Sequence, residues 1–201
     1  MKFEGQYING KKNGRGKEYY DDGVMRYEGF FSNGLRTGKG KIYGYDNNLL
    51  FEGEFLNGEI NGKGKEYNYN KELIFEGEYI YGYRKKGKEY VKGILEYEGE
   101  YLFKKKWNGI WYDKNGNIIY KIMNGTGRIK EYDKYGKLEF EGEYLNGRKN
   151  GKGKEYYSNV NIMFEGEFLN GEKNGIGKEY NYDGNLIFEG EYLNGKRKII
   201  K

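Results

Sequence analysis

The sequence predicts an all-β protein: an elongated, twisted, single-layer antiparallel sheet of tandem β-hairpins, about nine units long. Three observations lead there. The chain of 201 residues holds 35 Gly but no Pro, and it has no Ala, the best helix former. Aromatic residues make up 18% of it, including 24 Tyr, and together with glycine they favour short strands joined by turns. Third, an aromatic-Glu-Gly triplet recurs at a near-constant interval along the chain, the mark of a repeat architecture.

The triplets begin at Phe3, Tyr27, Phe51, Phe75, Tyr97, Phe140, Phe164 and Phe188, with spacings of 24, 24, 24, 22, 43, 24 and 24 residues. The spacing of 43 is close to two periods, so one unit has lost its triplet. Ile119-Tyr120-Lys121 is read as its remnant, with Asn124-Gly125-Thr126-Gly127 standing where the second half of a unit belongs.

Each unit is read as two strands and two turns. In Leu49 to Leu56, Phe51, Gly53 and Phe55 share one strand face, while Glu52 and Glu54 share the other. Asn57-Gly58 and Asn61-Gly62 supply residues that tolerate positive φ, and Lys63-Gly64-Lys65-Glu66-Tyr67 returns as the second strand. A second turn follows, clearest at Asp21-Asp22-Gly23 and Asp183-Gly184. A lone hairpin is marginal in water, so stacking of successive units has to stabilise it. Roughly seventeen strands at about 4.8 Å each predict a length on the order of 75–80 Å. The recurring glycines Gly5, Gly29, Gly53, Gly77, Gly99, Gly142, Gly166 and Gly190 are assigned a structural role, leaving room for aromatic rings across the backbone.

The string aromatic-Glu-Gly-Glu-aromatic-Leu-Asn-Gly followed by Asn-Gly-x-Gly resembles the MORN repeat (membrane occupation and recognition nexus). The clearest copies are Phe51 to Gly64, Phe140 to Gly153 and Phe164 to Gly177. The usual family Trp after the Gly is here Tyr or Phe, as at Tyr7, Phe31, Phe55 and Tyr79. Lys154-Glu155-Tyr156-Tyr157 is similar to the YwqK-type variant found in bacterial antitoxin proteins. The resemblance implies a twisted hairpin array acting as a scaffold or binding module, often homodimeric, in some cases in contact with phospholipids.

Composition narrows the chemistry. Without Cys or His there is no thiol nucleophile, catalytic triad, imidazole base or zinc site of the common ligand sets. No disulfide forms, no apolar run approaches the ~20 residues of a membrane helix, and Met1 to Gly5 does not open a signal peptide. The expectation is a cytoplasmic protein, with peripheral attachment to a membrane as the alternative. Carboxylate pairs such as Glu52 and Glu54 recur in nearly every unit beside Lys columns (Lys17, Lys65, Lys154, Lys178), which fits cross-strand ion pairing rather than one catalytic pair. Gly62-Lys63-Gly64 lacks both the third glycine of a dinucleotide fingerprint and the ending of a P-loop. No enzyme activity, cofactor or metal is therefore expected.

The chain is read as one array, with regular repeats over 1–80 and 138–201 and a degenerate basic segment over 81–137. That segment holds 14 Lys/Arg against 7 Asp/Glu, whereas the whole chain holds 36 against 31, so the rest has 22 against 24. It also holds both tryptophans. Arg84, Lys85, Lys86, Lys88, Lys104, Lys105, Lys106, Trp107 and Trp111 are the candidate partner-binding residues, since cations among large aromatics suit an anionic partner. The competing reading makes the segment a bend and the tryptophans plugs. The tail Lys196 to Lys201 is expected to blunt a sheet edge by charge. The expected function is a non-catalytic scaffold binding another protein or a second copy of itself. The alternatives are a binder of anionic membrane surfaces and an antitoxin-like inhibitor; nucleic acid ranks last among the partners.

Overall fold

The computed structural model describes residues 2–133 and 135–198. All of its regular structure is strand, in two compact units, Met1–Lys104 and Lys105–Lys201. That boundary falls inside the segment 81–137 singled out by charge.

The first unit contains β1 (Lys2–Ile8), β2 (Lys11–Tyr19), β3 (Met25–Ser32), β4 (Leu35–Tyr43), β5 (Leu49–Leu56), β6 (Glu59–Tyr67), β7 (Leu73–Ile80), β8 (Tyr83–Val91) and β9 (Ile94–Leu102). The second contains β10 (Lys105–Tyr112), β11 (Ile118–Met123), β12 (Thr126–Tyr132), β13 (Leu138–Leu145), β14 (Arg148–Tyr156), β15 (Ile162–Leu169), β16 (Glu172–Tyr180), β17 (Leu186–Leu193) and β18 (Lys196–Arg197). Within each unit every strand is antiparallel to the next in sequence. Ile199 to Lys201, part of the charged tail, lie outside the described residues.

The turns explain why the chain reverses where it does. At Asn33-Gly34 and Asn57-Gly58 both residues have positive φ (51° and 88°, 52° and 91°), the geometry whose twist matches paired strands. Gly34 donates its N–H to the carbonyl of Lys12 and Gly58 donates to that of Arg36, so each turn is bonded to the hairpin before it.

Register is set by glycine. In the first unit Gly5, Gly16, Gly29, Gly40, Gly53, Gly64, Gly77, Gly87 and Gly99 face one another in succession across all nine strands. In the second unit Gly142, Gly153, Gly166, Gly177 and Gly190 repeat the line, and Ile129 takes the place opposite Gly142. The reason is steric. The Phe75 ring lies over the line, and a Cβ on Gly87 would meet its Cζ at 2.5 Å.

Those rings form the core, with no second layer of structure over them among the described residues. Tyr27, Phe31, Phe51, Phe55, Phe75 and Tyr79 make one buried cluster. Phe55 reaches Tyr27 of the preceding hairpin at 5.2 Å and Tyr79 reaches Phe51 at 5.3 Å, both edge to face. Each such pair adds about 0.5–1.5 kcal/mol beyond the area it buries.

Ion pairs brace the same face. Glu18 accepts from Lys12 of its own hairpin and from the Arg36 guanidinium of the next. Burial works against its charge, yet these two cations hold its carboxyl below the usual value. Glu66 receives Arg84, Glu155 receives Lys149 and Lys173, and Glu179 receives Arg197.

Candidate functional site

The opposite face of the first unit is open. Along the glycine line, from Gly5 to Gly87 and on to Glu98 of β9, the sheet carries a trough of about 1220 Å³, floored by backbone. That volume exceeds the ~300–1,000 Å³ typical of small-molecule clefts, and eight strand spacings make the trough about 38 Å long.

The residues flanking each glycine point to this face because side chains alternate along a strand. Glu52-Gly53-Glu54 on β5 therefore sends two carboxylates to the trough, one to each wall. Lys63-Gly64-Lys65 on β6 sends two ammonium groups, Glu76-Gly77-Glu78 on β7 two carboxylates, and Lys86-Gly87-Lys88 on β8 two ammonium groups. Lys39-Gly40-Lys41 on β4 continues the alternation. The walls thus form bands, one sign per strand, reversing at every strand.

The bands are not equally free. Tyr19, Tyr43, Tyr67 and Tyr90 donate their hydroxyls to Glu4, Glu28, Glu52 and Glu76 at 2.7, 2.9, 2.8 and 2.6 Å. Burial, then the bonded carboxylate, pushes the Tyr43, Tyr67 and Tyr90 phenols up to about 12. Glu54 accepts the Lys63 backbone N–H at 2.8 Å across a bulge where Gly62 has φ of 105°. Lys41 and Lys65 stand 3.7 Å from Glu52 and Glu76. Lys17, Lys39, Lys63, Lys86 and Lys88 have no ion-pair partner within reach among the described residues. Internal donors hold most of the carboxylates, while most of the lysines remain available.

A family model described as the MORN repeat matches residues 3–25, 27–49, 51–71, 140–159 and 164–186. The chain belongs to the MORN-repeat family. None of the curated proteins matches it. In the first unit the strands β7 to β9, which the family model passes over, keep the same register, with Gly77 opposite Gly87 and Gly87 opposite Gly99.

The nine candidate residues named from sequence divide between the two MORN units. In the first, Lys86 and Lys88 line the trough. Arg84 does not face an outside anion: its guanidinium lies between Glu66 and Glu89 and over the Phe75 ring. Lys85 sits 3.4 Å from Glu78, and Lys104 lies over the Tyr83 ring. In the second unit Trp111 is fully buried, so its ring offers a partner no surface; it is core. It stands opposite Tyr120, at the position where β6 places Glu66 opposite Phe75, and Lys106 lies over its ring at 5.0 Å. Cation–π contact replaces the ion pair there. Trp107 packs on the β11–β12 turn, where a Cβ on Gly125 would meet its ring at 2.6 Å. Lys105 is exposed, its stem beside Gly147. Sequence reading passed over the trough. The signal was present as Glu-Gly-Glu and Lys-Gly-Lys triplets, but only the strand register turns them into bands.

Proposed function

We propose that this MORN array is a non-catalytic scaffold whose first unit holds a partner polypeptide in the glycine-floored trough. The reading rests on the trough: it is too long for a small molecule, has an uncovered backbone floor, and carries charged groups on both walls. A folded domain meets a narrow channel only at its rim, whereas a single chain lies along it. Attachment to an anionic membrane through the lysine–tryptophan run has less support, since Arg84 is clamped and Trp111 enclosed.

Panning a random-peptide library on the purified chain tests the reading. Enriched peptides should lose most of their binding when Lys39, Lys63 and Lys86 are all changed to Gln. Enrichment of no peptide, or of peptides indifferent to the triple variant, would overturn the trough as the site.

A further inference from the structure

The spacing and the freedom of the wall charges say more about the occupant. This step rests on the scaffold reading above. Lysine bands recur on alternate strands, β4, β6 and β8, and two strand spacings amount to about 9.6 Å. A chain running along the trough, across the strands, meets at that interval at least one ammonium group without an ion pair among the described residues (Lys39, Lys63, then Lys86 and Lys88) and a carboxylate band midway between.

Chain conformations differ in whether they keep that step. A polyproline II helix advances about 9.3 Å for three residues, so every third side chain returns to the same face. A β-strand returns a side chain to one face every ~6.7 Å, so it misses the first band by about 3 Å and meets only every second one; an α-helix, at ~5.4 Å per turn, is about 2.4 Å out by the second band. A single nucleic-acid strand carries a phosphate every ~3.4 Å of helix axis, so its charges fall on carboxylate bands as often as on lysines. The sign follows from the hydrogen bonding. Glu28, Glu52 and Glu76 are held by tyrosine hydroxyls and Glu54 by a backbone N–H, whereas Lys39, Lys63, Lys86 and Lys88 remain without an ion pair among the described residues.

We propose that the trough of the first unit binds a polyproline II segment about twelve residues long with an acidic side chain at every third position. The acidic groups meet the basic bands of β2 (Arg15 and Lys17), β4, β6 and β8, and the two intervening residues straddle each carboxylate band.

Fluorescence anisotropy on the full chain tests this, using labelled proline-based peptides of equal length and equal Glu number. Glu at every third position should bind about tenfold or more tighter than Glu at every second. It should also outbind the matching Lys peptide, weaken as salt rises, and lose about tenfold in the Lys39→Gln/Lys63→Gln/Lys86→Gln variant. Equal binding of the two Glu spacings, preference for the Lys peptide, or an unaffected variant would overturn the proposal. If panning yields trough-dependent peptides without spaced acidic residues, the scaffold reading stands and this one falls. If it yields none, both fall.

Discussion

Ile42 occupies the position that Glu18 and Glu66 fill in other hairpins, opposite the aromatic residue of the triplet. Eighteen residues on, Ile60 occupies the position of Arg36 and Arg84. Both pack on the buried ring cluster, so one ion pair has been exchanged as a unit for an apolar contact. Such exchanges cost little, whereas breaking one partner leaves a charge unpaired. Ile42→Glu alone should therefore destabilise the protein by about 1–3 kcal/mol. Adding Ile60→Lys should restore part of that loss, with a coupling of about 1 kcal/mol in a double-mutant cycle read from urea denaturation. Additivity of the two changes would show that positions 42 and 60 do not form the missing clamp.

At the scale of the element, the turns were legible because asparagine and glycine tolerate positive φ. Tyr81-Gly82 and Lys92-Gly93 keep only the glycine, and one turn lacks that too. After β9 the chain places Phe103 (φ 47°) and Lys104 (φ 72°) where most hairpins carry Asn-Gly. Phe103 is 86% exposed, so burial does not offset the strain. Phe103→Asn combined with Lys104→Gly should raise stability by about 1–2 kcal/mol, seen as a higher urea midpoint at unchanged slope. A lowered midpoint would mean that the exposed ring makes a stabilising contact. The sixth hairpin, β11–β12, departs in another way. Ile122 and Ile129 stand seven residues apart where Gly53 and Gly64 stand eleven apart, which shortens both strands at the turn end.

For the molecule as a whole, the period, the hairpins and the purpose of the strand glycines could be read from residues, because each is a local demand repeated many times. The trough could not. A running charge count marks 81–137 as basic but is blind to pairing, so Arg84 counted the same as Lys86 although one is clamped and the other free. Trp111 looked like a binding aromatic because burial depends on which face of which strand a residue occupies. Raised phenols give both units an alkaline limit. Burial foremost raises Tyr27, Tyr43, Tyr67 and Tyr90 to about 12, and the bond to Glu165 foremost does so for Tyr180. A phenol raised in the folded state stabilises it fully below the unfolded value of about 10, and that contribution is lost as pH rises through the folded value. Urea midpoints should hold to pH ~10 and fall between pH ~10 and ~12, in step with tyrosinate absorbance. Phenols that ionise near pH 10 while the chain is still folded would contradict this.

The glycine line has one more consequence, for how such a protein changes length. Every strand pairs with its chain neighbours within its unit, so duplicating or deleting one 24-residue hairpin is an edit confined to two seams. Each edit adds or removes one carboxylate band and one lysine band together, changing the trough length by about 9.6 Å and leaving the alternation in phase. The trough thus has a natural ruler: growth proceeds in steps that the proposed polyproline ligand would match with three residues of its own.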